Sequence, residues 1–214
     1  MKYGAYLFDF DYTLADTETG ILIGYREVLE KHGYTGIPDG AIRRTIGRPI
    51  PESFTMLCGE TDAGALEAYR AEYAELADIH MTANTAFYPG ALSLVRALRS
   101  RGKRTGIVST KSACRIKEAL AKYDIAGLFD AVVGGDMVRA HKPDPEGIFL
   151  AVRTLNADPA RTLYIGDTVI DAETALRAGV DFAGVTTGVT AAAELAAFPN
   201  VRIVADLGEL ERDI

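Results

Sequence analysis

The chain has 214 residues, enough for one sizeable domain with an insertion, and its 48% hydrophobic and 25% charged content is that of a globular protein. Its 30 acidic and 23 basic residues give a net charge of −7, which argues against a nucleic-acid surface, and no apolar stretch approaches a membrane span. Cys58 and Cys114 form no CxxC pair and are too few for a disulfide scaffold, so a reducing cytoplasm and two buried or half-buried thiols are expected.

The run Ala5–Phe8 predicts a buried strand that stops on Asp9 and Asp11. A strand interior rejects ionised groups, so this pair belongs at the carboxyl end, where open α/β sheets bind ligands. Two carboxylates there can divide the work of nucleophile and proton donor or hold a hard cation; alone, each is equally a cap or turn residue. Residues 16–83 then show only helical patterns, at Gly20–Lys31, Pro38–Thr45, Pro51–Leu57 and Asp62–Ile79, with Asp16 or Thr17 as N-cap of the first. Tyr69, Tyr73 and Leu76 mark an apolar stripe on the last of these.

From residue 84 onward, helical patterns at Gly90–Ser100, Ser112–Lys122, Pro145–Leu155 and Val169–Ala178 alternate with strand-like runs. Those runs are Thr105–Val108, Ala131–Val133, Thr162–Ile165, Phe182–Val185 and Arg202–Val204. Such alternation predicts an α/β fold: a Rossmann-like, doubly wound parallel sheet from residues 1–15 and 84–214. Residues 16–83 form an all-α helical insertion directly after the Asp pair.

Parallel strands share one direction, so the residues that follow them converge on one rim. Asp9 and Asp11 follow the first strand, Ser109 and Thr110 the run Gly106-Ile107-Val108, and Asp167 the run Tyr164-Ile165, with Asp171 four residues on. Lys142 lies in the loop beyond Ala131–Val133. Two like charges about 4 Å apart repel by roughly 1 kcal/mol in water and about 4 kcal/mol at an intermediate dielectric. Four carboxylates facing one ammonium therefore call for a divalent cation, and an all-oxygen ligand set favours Mg²⁺ over Zn²⁺.

Singly these residues are commonplace. A strand-end Ser109 is more often a plain hydroxyl, and Lys142 a solvated loop residue. His32, His80 and His141 have no ligand spacing, and Gly4, Gly134 and Gly135 form no dinucleotide fingerprint. Arg43, Arg44 and Arg48 either present a guanidinium to an anionic group or form a solvated helix face.

In order, the segments DFDYTLAD, GIVST, HKPDP and IGDTVID resemble the haloacid dehalogenase superfamily. The helical insertion after the first of them is similar to the helical-cap subclass, which includes phosphoglycolate phosphatases. The resemblance implies that Asp9 is a nucleophile forming an aspartyl-phosphate. Asp11 protonates the leaving oxygen, later deprotonates water, and offers its carbonyl to Mg²⁺. Ser109, helped by the Thr110 amide, holds phosphoryl oxygens, and Lys142 neutralises charge on them and on Asp9. Asp167 completes the metal site, and Asp171 is either a further ligand or, the preferred reading, a brace behind it. Asp11 also separates phosphoryl transfer from the dehalogenating members, which lack that carboxylate.

Ile46-Gly47-Arg48-Pro49 resembles a cap segment that contacts substrate, and Tyr12, where many relatives carry Gly, is a second candidate substrate contact. The implied activity is Mg²⁺-dependent hydrolysis of a small phosphorylated metabolite by a cytoplasmic monomer or homodimer. An inorganic pyrophosphatase and a sugar-phosphate mutase like β-phosphoglucomutase are the alternatives on the same scaffold. A signalling receiver domain carries similar residues but is shorter and lacks the insertion.

Overall fold

A computed structural model describes residues 2–211. The chain divides into two compact units, one made of the residues up to Asp16 and from Phe87 onward, the other of Thr17–Ala86. It opens with β1 (Ala5–Phe8) and the two-residue β2 (Ala15–Asp16). Next come α1 (Glu18–Lys31), α2 (Asp39–Arg43), α3 (Ile50–Cys58) and α4 (Ala63–His80). After β3 (Ala86–Phe87), helices and strands alternate: α5 (Pro89–Ser100), β4 (Arg104–Val108), α6 (Ala113–Lys122), β5 (Ala131–Val133), α7 (Glu146–Thr154) and β6 (Thr162–Gly166). Then follow α8 (Val169–Ala178), β7 (Asp181–Val185), α9 (Ala192–Ala196), β8 (Arg202–Val204) and α10 (Leu207–Glu211).

Six strands form one parallel sheet in the order β5-β4-β1-β6-β7-β8, the α/β architecture expected from the alternating pattern. Phe8 lies level with Ile107 of β4 and Ile165 of β6, so three neighbouring strands end together. The chain runs outward from β1 through β4 to β5 and then crosses back to β6. The reversal leaves a crevice at the carboxyl end of β1, between strands whose loops diverge. The two faces of β1 serve separate cores. Tyr6 and Phe8 pack with Leu94, Ile107 and Ile116, whereas Ala5 and Leu7 pack with Ile148, Tyr164 and Ala175. This period of two makes β1 buried on both faces.

The helical unit has its own aromatic core. Tyr25 stands 5.0 Å from Phe54 and 4.7 Å from Tyr73, ring centre to ring centre, and Phe54 stands 5.3 Å from Tyr69. Tyr69 and Tyr73 of the stripe expected on α4 are therefore core, Leu76 being half-buried, and Gly24 lets α1 approach: a Cβ there would fall 2.8 Å from the Tyr73 ring. Asp62 caps α4 through the Ala65 amide at 2.9 Å, whereas Thr17 occupies the cap position of α1 with no side-chain capping bond to that helix. Cys58 is half-buried, as expected, whereas Cys114 is exposed, contrary to the expectation. Among the described residues no helix is long and apolar enough to cross a membrane.

Gly134 and Gly135 matter through closeness rather than as a nucleotide motif. A Cβ at Gly134 would lie 2.2 Å from the Ala113 amide nitrogen, and one at Gly135 would lie 2.4 Å from the Thr110 carbonyl oxygen. Both glycines thus press against the loop that follows β4, and the Gly135 amide donates to the Lys111 carbonyl at 3.1 Å. Backbone atoms cannot yield as side chains do, so Gly134→Ala should cost about 1–3 kcal/mol of stability in denaturant unfolding. Unchanged stability would mean that the loop shifts freely.

Candidate active site

The site is built from residues just beyond the ends of β1, β4 and β6. The Asp9 amide continues the sheet by donating to Ile165 O at 2.8 Å. Phe10 turns into the apolar core, so alternation sends Asp9 and Asp11 the other way. The chain then doubles back: Leu14 N and Ala15 N both donate to Phe10 O at 3.0 Å, and Tyr12 N donates to Ala15 O at 2.8 Å. Tyr12 holds this turn at φ 60°, the left-handed region that Gly occupies without steric cost, at a strain of about 1–2 kcal/mol. Its side chain is buried, and the Thr187 hydroxyl donates to its carbonyl.

Lys142 links three of the expected residues. Its Nζ lies 3.0 Å from Asp9 Oδ1, 2.6 Å from Asp171 Oδ1 and 3.1 Å from the Tyr164 hydroxyl. The first contact is an ion pair rather than a hydrogen bond, so among the described residues nothing donates a hydrogen bond to the buried Asp9 Oδ1. Asp171 is fully engaged. Oδ1 takes Lys142 and faces the Tyr164 hydroxyl at 2.9 Å, while Oδ2 accepts from Thr168 N at 3.1 Å and Thr168 Oγ1 at 2.6 Å. The bond from the Thr168 amide is half of a capping box at the start of α8, completed by the Asp171 amide donating to Thr168 Oγ1 at 3.1 Å, and the helix dipole there also favours a carboxylate.

Asp167 is buried, and Thr13 Oγ1 donates to its Oδ1 at 3.0 Å. Gly188 abuts its other oxygen so closely that a Cβ would lie 2.0 Å from Oδ2. Carboxylate oxygens of Asp9, Asp167 and Asp171 lie within 4.8 Å of one another. Ser109 is buried and continues the sheet through its amide to Val133 O at 3.0 Å, with Thr110 half-buried next to it. Asp11 pairs with Lys111 of that same loop, Nζ to Oδ1 2.9 Å, with both side chains 8% exposed. Arg48 belongs to the helical unit, where it forms an ion pair with Glu52, as Arg43 does with Glu18 at 2.7 Å.

The electrostatics follow from burial. Asp9 is pushed up to about 6 by loss of water, with Asp171 and Asp11 adding repulsion that Lys142 only partly offsets. Burial likewise lifts Asp167 well above the carboxylate range, reinforced by the charges of Asp171 and Asp9. For Lys142, burial alone would lower the value, but Asp171 and Asp9 reverse this and raise it. Tyr164 is lifted by burial and by Asp171, so its hydroxyl stays neutral. The strain thus centres on Asp9 and Asp167. An undonated buried carboxylate oxygen beside a carboxylate without an ion pair among the described residues suits a hard divalent cation.

Lys111, Tyr164, Thr13 and Gly188 escaped the sequence argument. The excess of carboxylates over ammoniums was itself a sign that another cation was needed, and Lys111 stood two residues beyond Ser109. A tyrosine inside an apolar strand likewise signals a buried partner for its hydroxyl. Nothing in the sequence marked Gly188.

The pH dependence has a definite sign. Between about pH 4 and 6 the folded, metal-free protein holds a proton on Asp9 that the unfolded chain has released, so stability falls as pH rises through that window. In chelator, Asp9→Asn should therefore melt several degrees above the wild type at pH 7.5, the gap closing toward pH 4. Equal melting temperatures at pH 7.5 would contradict the raised Asp9.

Residues 6–185 match the family of haloacid dehalogenase-like hydrolases. A haloacid dehalogenase-like hydrolase of known structure from Bacteroides fragilis shares 51% identity and a TM-score of 0.95, over 97% of this chain and 99% of that one. A phosphoglycolate phosphatase of Rhodobacter capsulatus is 34% identical over 86% of this chain and 84% of its own length. Pyrophosphatase PpaX of Bacillus velezensis is 31% identical over 91% of this chain and 88% of its own. The matched span contains the Asp9–Asp11 turn, Ser109, Lys142 and Asp167, and the chain belongs to the haloacid dehalogenase-like hydrolase family of enzymes.

Proposed function

We propose that this enzyme is a cytoplasmic, Mg²⁺-dependent phosphatase that hydrolyses a small phosphorylated metabolite through an aspartyl-phosphate, in the manner of phosphoglycolate phosphatase. The observation that carries the reading is the buried Asp9 carboxylate, lacking a hydrogen-bond donor at Oδ1 and standing 3.0 Å from Lys142. An oxygen so placed has its lone pairs uncommitted, as a nucleophile requires.

Asp9 attacks phosphorus, and the bond to the leaving oxygen breaks as Asp11 supplies its proton. Asp11 then takes a proton from the water that attacks the same phosphorus, and the Asp9–phosphorus bond breaks to release phosphate. Lys142 offsets charge on Asp9 and on the phosphoryl group, aimed by Asp171 and the Tyr164 hydroxyl. Ser109 and the Thr110 amide orient the phosphoryl oxygens. The side chains of Asp9 and Asp167 and the Asp11 carbonyl would hold the cation; Asp171, its oxygens already occupied, braces Lys142 instead. When bound, Mg²⁺ supplies positive charge against the charge that develops on the phosphoryl oxygens.

The similarity to phosphoglycolate phosphatase favours an alkyl phosphate with an anionic tail, and Arg48 is the candidate to read that tail. The similarity to PpaX favours inorganic pyrophosphate as the second reading. A mutase would use the same residues but return the phosphoryl group to a sugar phosphate.

Asp9→Asn should lower turnover of an aryl phosphate by roughly 1,000-fold or more, and retained activity would remove the nucleophile. Chelation should silence the wild type and added Mg²⁺ restore it. Comparing kcat/KM for phosphoglycolate, pyrophosphate and hexose phosphates ranks the substrate classes. Arg48→Ala should raise KM for phosphoglycolate more than for an ester with an uncharged tail; equal effects would discard that contact.

A further inference from the structure

We infer that a second anion site lies at the amino-terminal end of the sheet, where Arg99, Lys103 and Arg104 line a cavity suited to a dianionic phosphate group. The cavity measures about 370 Å³ and also takes in Gly102, Asp130 and Thr154. Arg104 opens β4 and Ser109 follows its other end, so five residues separate them, roughly 16 Å along a parallel strand. The site is thus distinct from the carboxylate cluster, and it does not depend on the phosphatase reading.

In a chain of net charge −7, the segment 96–104 carries five of the 23 basic residues and no acidic one. Two helices end at the cavity, and their closing turns are made largely by backbone. After α5, Gly102 (φ 70°) donates to Arg99 O at 2.9 Å, and Lys103 N donates to Leu98 O at 3.0 Å. After α7, Asn156 (φ 47°) donates to Arg153 O at 3.0 Å, and Ala157 N donates to Val152 O at 3.0 Å. Only Arg101, outside the cavity lining, spends its guanidinium on a helix carbonyl here, Ala97 O at 3.1 Å.

The three cations of the cavity are unequally committed. Arg99 pairs with Asp130, whose Oδ2 also accepts from Thr105 N at 3.1 Å, so that carboxylate is already answered. Half-buried Lys103 donates to Tyr3 O at 2.7 Å, which uses one of an ammonium's three donors. Among the described residues nothing accepts a hydrogen bond from the exposed Arg104 guanidinium or pairs with it. Three cations against one carboxylate leave the cavity at +2. A free guanidinium fork can span two oxygens of a tetrahedral dianion while the ammonium takes a third. Leu155 is the one apolar side chain among the lining residues, so charge, not a hydrocarbon body, is what the cavity reads.

Inorganic phosphate is the probe, titrated into chelator-treated, isotope-labelled protein at low ionic strength and followed by amide shifts, with acetate at matched ionic strength as the control. The Gly102, Lys103, Arg104 and Thr154 amides should move along one saturable curve, whereas phosphate at the active site moves Ser109 and Thr110. Arg104→Gln should weaken the first curve about tenfold or more and leave any response at Ser109 unchanged, while Arg104→Lys, which keeps the charge and loses the fork, should weaken it less. An otherwise unchanged spectrum shows that each variant is folded.

Titrating an alkyl phosphate in parallel separates the two sources of such a group: tighter binding than inorganic phosphate assigns the cavity to an ester, equal or weaker binding to the free ion. Unmoved amides at 102–104, an equal response to acetate, or undiminished binding by Arg104→Gln would overturn the inference and leave the phosphatase reading untouched.

Discussion

The crowding of buried carboxylates at the carboxyl ends of β1 and β6 is the constraint on which the rest of the site depends. Asp9, Asp167 and Asp171 bring oxygens within 4.8 Å of each other in surroundings from which water is largely excluded. Nothing in apolar packing holds such groups together; their mutual repulsion would push them apart unless each is answered. Asp171 is answered by Lys142, Tyr164 and the start of α8, and Asp11 by Lys111. Asp9 and Asp167 are answered least, and burial raises both. The frustration is confined to the two residues to which the proposed chemistry assigns a nucleophile and a cation.

The fold makes that concentration possible. A β1 strand buried on both faces and flanked by β4 and β6 in level register gives three strand ends at one place. Glycines then bring the remaining pieces close: Gly188 against Asp167, Gly166 against Asp171, and Gly134 and Gly135 against the Ser109 loop. Side chains at these positions would have to displace a reacting group or the backbone that carries one. The turn after Asp9 accepts strain instead, since Tyr12 keeps a left-handed conformation while burying its ring.

Much of this was legible in the residues. Short β-rich runs between amphipathic helices give the parallel sheet, because strand and helix periods differ and each run ends in polar residues. The rule that ionised groups sit at strand ends located Asp9, Asp11 and Asp167. The helices α9 and α10 were not anticipated, since five residues carry too little periodicity to register. Lys111 and the Tyr164 hydroxyl were missed for another reason. Their partners are about 100 and 7 residues away in sequence respectively, and only the packing of loops decides whether a cation faces solvent or a carboxylate. The close approach of Gly188 to Asp167 is likewise a property of the folded backbone.

Calorimetric titration of the chelator-treated protein with Mg²⁺, set beside the same titration of Asp167→Asn and Lys111→Met, bears on the central claim most directly. The account predicts saturable binding by the wild type, its loss in Asp167→Asn, and its persistence in Lys111→Met, whose ammonium answers a different carboxylate. Undiminished binding by Asp167→Asn, or no binding by the wild type, would contradict a cation as the partner that this cluster requires.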